Sequence, residues 1–155
     1  MYHTILVAVA LQHWEQYSTH ALAVREVALA IARGASHPLH ILSVYAYDSL
    51  DALGLSPDVA VRHREDMMHR TDEIMGRKMD EYIVPFKEAG LGVVPMLRVG
   101  NPRIDIVQTA TRLKADLLMI GSHSKRGLFD VVLGGTAQHV SRHAPCPVVL
   151  VSPKP

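Results

Sequence analysis

Residues 4–9 of this chain, Thr4-Ile5-Leu6-Val7-Ala8-Val9, form an apolar run with no polar residue at alternate positions. A strand half open to water alternates apolar and polar side chains, whereas a strand covered on both faces does not, and strands of that second kind belong to parallel sheets. Comparable short runs recur at 39–45, 93–99, 117–120 and 147–151. What separates them has helical spacing, so the chain is constrained to a repeated strand–crossover–strand pattern.

Ser18 is placed to cap a first helix in which Val24, Val27, Ala28 and Ile31 recur on one face, and Gly34 is placed to end it in the left-handed conformation. Ser56 and Pro57 suit entry to a long second helix with the apolar stripe Met68, Met75, Met79, Tyr82 and Phe86. Pro85 should bend or loosen its last turn, and Gly90 should close it. Asn101-Pro102 open a third helix with Ile106, Val107, Ala110 and Leu113 on one face. A glycine-containing loop from 121 to 135 leads to a short last helix at 136–143. This order calls for an α/β fold, a doubly wound five-stranded parallel sheet with helices on both faces and strand order 3-2-1-4-5. At 155 residues, with no internal repeat or linker, residues 1–155 read as a single domain.

Composition narrows the function. Hydrophobic residues at 48% and charged residues at 20% exclude wholesale disorder. Sixteen Lys+Arg against fifteen Asp+Glu leave a charge of +1, which argues against a protein held by nucleic-acid phosphates. The single cysteine, Cys146, excludes an intramolecular disulfide and a zinc site of several thiolates, and fits a reducing compartment. No apolar run approaches the ~18 residues of a membrane span, and the first ten residues lack a basic leader, so the expected location is cytoplasmic, with no membrane.

Ligands of open parallel sheets bind outside the carboxyl ends of the strands. Residues 10–17, 48–56 and 121–136 all compete for that edge. The third has the makings of an anion site, because its glycines allow close backbone approach and a helix starts near Gly135; an ordinary loop with turn glycines is the plainer alternative. A Walker A loop is absent, since Gly134-Gly135 is followed by Thr136 without a lysine, and the segment after the first strand has no glycine for a pyrophosphate loop. No nucleophilic triad or general base can be placed. His139 and His143 share a helix face, the minimum for a two-histidine metal grip, but no carboxylate beside them completes a site. Cys146, between Pro145 and Pro147, reads as buried rather than reactive, and the methionine stripe as core.

Gly121-Ser122-His123-Ser124-Lys125-Arg126-Gly127-Leu128, then Val132-Leu133-Gly134, then His143-Ala144-Pro145-Cys146-Pro147-Val148-Val149-Leu150-Val151 resembles the closing signature of the universal stress protein family. The opening strand, the Gly100-x-Pro102 turn and Ala115-Asp116-Leu117-Leu118-Met119-Ile120 are also similar, so the likeness spans the chain. It implies a cytoplasmic, stress-associated, usually dimeric protein, one branch of which binds ATP through Gly-x2-Gly-x9-Gly-Ser/Thr after the fourth strand. Gly121 and Gly134 match the first and third glycines, while Ser124 stands at the second and Gly135 at the Ser/Thr, with Thr136 one residue later. Ala10 stands where ATP-binding relatives carry an Asp; Gln12 or Glu15 could substitute, or Trp14 could fill the adenine pocket. The nucleotide contacts so implied are Val9, Ala10, Val44, Ile120, Gly121, His123, Ser124, Lys125, Arg126, Gly134, Gly135 and Thr136, with Mg²⁺ accompanying ATP. The alternative is a dimeric protein-interaction module without nucleotide. A slow ATPase is the most that enzyme chemistry would amount to. The resemblance further implies a homodimer through the apolar edge strand 147–151, and the segment 48–58 is expected to be a mobile pocket cover.

Overall fold

The computed structural model of the chain describes residues 2–12, 17–47, 56–122 and 133–154. The elements run β1 (Ile5–Ala8), α1 (Thr19–Ile31), β2 (Leu39–Tyr45), α2 (Pro57–Tyr82), α3 (Val84–Glu88), β3 (Val93–Val99), α4 (Pro102–Leu113), β4 (Leu117–Gly121), α5 (Gly135–His143) and β5 (Val148–Val151). All neighbouring strands pair in parallel, in the order β3-β2-β1-β4-β5. The winding therefore reverses between β1 and β4, in register from Ile5 opposite Leu117 to Ala8 opposite Ile120.

Because successive side chains on a strand point to opposite faces, the uninterrupted apolar runs build two cores at once. Ile5, Val7, Ile41, Leu117 and Met119 pack under α1, α2 and α3 with Val24, Met75, Met79, Tyr82 and Phe86. Leu6, Ala8, Leu42, Val44, Leu118 and Ile120 pack on the other face with Ile106 and Ala110 of α4 and Val140 of α5. Leu6 and Leu118 are fully buried, and truncating either to alanine would cost about 2–5 kcal/mol.

The helix signals act as the local chemistry requires. Ser18 Oγ accepts the Ala21 N–H at 3.1 Å, Asn101 Oδ1 accepts the Arg103 N–H at 3.0 Å, and Gly34 and Gly90 take φ of +76° and +75°. Three expectations shift. Ile31 is 41% exposed rather than in the core, because it falls at the end of α1 where the chain leaves the sheet. The second helix is two helices: it stops at Tyr82, and Pro85, which lacks an N–H to donate, sits in the first turn of α3 with Phe86 buried behind it. Ser56 precedes Pro57 at the start of α2 but makes no side-chain cap bond.

A cavity at the carboxyl edge of the sheet

The four residues that end the paired segment of β1 and begin its loop set the floor of a cleft. Val9 is buried and donates its N–H to Leu42 O at 2.9 Å, after which Ala10 turns outward and Gln12 doubles back to β2. The Gln12 amide is fully engaged there: Nε2 donates to Ala46 O at 2.6 Å and Oε1 accepts the Ala46 N–H at 3.0 Å. On the other side of the winding reversal β4 ends at Gly121. A side chain there would meet His20 Cβ at 3.3 Å and Val24 at 3.5 Å, so the glycine is what lets α1 lie against the strand end.

Between these strand ends lies a cavity of about 420 Å³, within the usual size range of small-molecule sites. Ala8, Val9, Ala10 and Val44 line it from β1 and β2, Ile120 and Gly121 from β4, and Gly134, Gly135 and Thr136 from the start of α5. Thus the residues Val9, Ala10, Val44, Ile120, Gly121, Gly134, Gly135 and Thr136, singled out from the sequence, are brought to one wall. His123, Ser124, Lys125 and Arg126 lie outside the described residues, as do Trp14 and Glu15. The expected cover, 48–58, lies mostly outside them too, and its last two residues, Pro57 and Asp58, are the first turn of α2.

Sequence reasoning missed the opposite wall. Ser18, His20, Ala21 and Val24 of the α1 entry and Pro102 and Ile106 of α4 line it there, and Gln12, Leu42 and Ala137 line it as well. Three helix N-termini, those of α1, α4 and α5, therefore meet at this cavity. Two are closed by their own side chains, Ser18 and Asn101, whereas the N-cap of α5 is Gly134 and makes no side-chain cap bond. No acidic residue stands in the first turn of α5 either. Its first N–H groups carry the positive end of a helix dipole toward the cavity, which is a setting for an anion. The described lining includes the polar residues Gln12, Ser18, His20 and Thr136, is for the rest apolar and carries no carboxylate, so the cavity suits an apolar group with a negatively charged tail.

Gly135 stands where the family pattern has Ser or Thr, and the guanidinium of Arg103 occupies the space a Cβ would take, so a side chain there would require Arg103 to move aside. The remaining sequence candidates fall elsewhere. Cys146 is half-buried against the α4–α5 core, and burial, followed by Asp116, pushes its thiol pKa up, so it is a packing residue. His139 and His143 stack at 4.2 Å, but among the described residues no cluster of three or more His, Cys, Asp or Glu could hold a metal ion.

The chain is thus a five-stranded doubly wound α/β domain with a cavity at its winding reversal, the place where open parallel sheets bind their ligands. The chain matches the model of the universal stress protein family over residues 1–152 and belongs to that family. A universal stress protein of Thermus aquaticus is 32% identical over 154 residues, covering 97% of this chain and 99% of the relative. Among solved structures, a universal stress protein in complex with cAMP superposes with a TM-score of 0.63 at 21% identity, covering 99% of this chain and 100% of that one. A family member from Arabidopsis thaliana with AMP bound gives 0.63 at 22% identity, covering 97% of this chain and 92% of that one. No helix among the described residues is long and apolar enough to cross a membrane.

Proposed function

We propose that this chain is a stress-associated regulatory protein of the cytoplasm that binds an adenine nucleotide in the carboxyl-edge cavity. The observation that carries this reading is the N-terminus of α5, whose N-cap Gly134 makes no side-chain cap bond, opening into a largely apolar cavity of about 420 Å³ that two side-chain-capped helices also border. The nucleoside rests on Val9, Ala10 and Val44, and the phosphates lie against Gly134, Gly135 and Thr136. His123, Ser124, Lys125 and Arg126, in the loop after Gly121, are the further contacts this reading assigns. The relatives solved with cAMP and AMP support the ligand class.

ATP is the ligand expected to exploit the helix end most fully. For Mg²⁺ the described lining offers no carboxylate, and of its hydroxyls Ser18 is committed to the Ala21 N–H. A hard cation needs several oxygen ligands, so the described residues do not provide a Mg²⁺ site of their own. Binding, not turnover, is the activity assigned. Calorimetric titration of the full chain with AMP, ADP and ATP tests it: saturable binding of at least one supports the reading, and no heat with any of them to millimolar concentration defeats it.

The β5 edge favours a second, compatible property. Its four residues are Val148, Val149, Leu150 and Val151, without a charge, and Leu150 is 37% exposed. An apolar edge strand without a charge is a template for pairing with another chain, so we infer a homodimer through residues 147–151. If nucleotide does not bind, that interface leaves the chain as an interaction module. Light scattering at tens of micromolar gives a dimeric mass on this reading and a monomeric mass against it.

A further inference from the structure

Arg103 is the second residue of α4, and its guanidinium lies over Gly135, the first residue of α5. A positive charge therefore stands at the positive ends of two helices, where an isolated cation is unfavourable. Among the described residues no carboxylate is in ion-pair contact with Arg103, and Asp105, the acid in the first turn of α4, is engaged in accepting the Asn101 N–H at 2.8 Å.

Beside Arg103 is a second cavity of about 170 Å³, lined by Arg103, Gly135, Gln138, His139, Arg142 and His143. Every ionisable group on its wall is a cation or becomes one on protonation. The His143 ring donates from Nδ1 to His139 O at 2.8 Å and stacks on the His139 ring with 21° between planes. That bond leaves His143 Nε2 unengaged by it, and the stack holds both rings against the cavity. Burial first, and then the neighbouring His143 and Arg103, lower the His139 pKa.

Gly135 borders both this cavity and the larger one. We propose that the second cavity is an oxyanion subsite for a phosphoryl group, held by Arg103 and Arg142, with the His139 and His143 rings as further donors when protonated. A guanidinium presents paired N–H donors that match phosphoryl oxygens, and the α5 helix end adds to the same field. The phosphoryl group has two sources, a free anion or the distal phosphate of a nucleotide in the larger cavity. The second rests on the nucleotide reading above; the first does not.

The test uses the full chain, with inorganic phosphate, pyrophosphate, AMP and ATP as probes at fixed pH and ionic strength. Imidazole chemical shifts of His139 and His143 and calorimetry are followed in the wild type, Arg103→Met and Arg142→Met. Both arginines are exposed, so their replacement leaves the cores in place. Phosphate or pyrophosphate is expected to move both imidazole signals, with binding weakened about tenfold or more in Arg103→Met; that result assigns a free anion. If only ATP moves them, AMP does not, and Arg103→Met removes the advantage of ATP over AMP, the phosphoryl group arrives on the nucleotide. Imidazoles unmoved by every probe, or moved equally in the wild type and both variants, overturn the subsite. Nucleotide bound without any imidazole response defeats the subsite alone, whereas a phosphate response without nucleotide binding defeats the nucleotide reading alone.

Discussion

The two ends of β1 and β4 are built from the same kind of residue and finish in opposite ways. At the amino end, Asp116 Oδ2 accepts the His3 N–H at 2.8 Å, Asp116 Oδ1 accepts the Thr4 N–H at 3.0 Å, and the Asp116 N–H returns to Thr4 O at 3.0 Å. One carboxylate thus sews the entry of β1 to the entry of β4. At the carboxyl end the chain uses Ala10, Gly121 and Gly134, none of which brings a polar side chain, and the strands open on a cavity instead of closing on each other. Backbone donors at the amino end are satisfied by the Asp116 carboxylate, whereas the N-cap of α5, Gly134, offers no side chain to its own first turn. The end that closes on itself serves stability, and the open end is the one to which the proposed function assigns binding.

The largest expected effect breaks the carboxyl end. Gly134 has φ −59° and ψ 151°, a conformation open to any residue, so Gly134→Val should fold while placing a branched side chain at the cavity wall. Nucleotide affinity should fall about a hundredfold or more, a loss of roughly 2.7 kcal/mol or greater, with the thermal midpoint little changed; calorimetry and a melting curve check both.

Asp116→Ala is the complementary change. It leaves two backbone donors without their acceptor and should cost about 1.5–3 kcal/mol in urea denaturation, with nucleotide affinity unaltered. Burial works to raise the Asp116 carboxyl, but the backbone N–H groups of His3, Thr4 and Asp116 outweigh it and hold it below its ordinary value of 3.8. A carboxyl depressed in the folded state contributes stability that is complete above its unfolded pKa and is lost as pH falls through the folded value. The gap in stability between wild type and Asp116→Ala should therefore be full at neutral pH and shrink below about 3.8, as denaturation curves at a series of pH values would show.

Two smaller effects sharpen the contrast. At the sheet edge Val149 packs against the core while Leu150 points outward, so Leu150→Lys is the change that tests dimerisation without disturbing the fold. It should shift the scattering mass toward a monomer, with the far-ultraviolet spectrum retained. In the middle of β2, away from both ends, Ser43 is fully buried and its hydroxyl has no hydrogen-bond partner among the described residues. Ser43→Ala should raise stability by about 1 kcal/mol, and a loss of that size on the same denaturation assay would mean that the hydroxyl has a partner in solution.

The strands were legible because burial on both faces leaves an unmistakable run, and the winding then follows from the handedness of crossovers. The caps Ser18 and Asn101 were legible because only a few side chains can accept a first-turn N–H. Gly121 and Gly134 to Thr136 stood out because glycine before a helix is a local signal. His20, Val24, Pro102 and Ile106 were not, since each is an ordinary helix residue whose place on the cavity depends on how α1 and α4 dock. Arg103 carried no signal at all: it follows a cap and a proline, and only the tertiary contact with Gly135 distinguishes it. The division of one long helix into α2 and α3 was half visible, in that Pro85 announced a disturbance without fixing which residue would absorb it.

An amide chemical-shift titration of the ¹⁵N-labelled chain with AMP compares both ends in a single experiment. The expected result is saturable movement of the Val9, Ala10, Gly121, Gly135 and Thr136 signals with His3, Thr4 and Asp116 unmoved. Movement confined to the amino end, or no movement at either end up to millimolar AMP and ATP, would contradict the assignment of binding to the carboxyl edge.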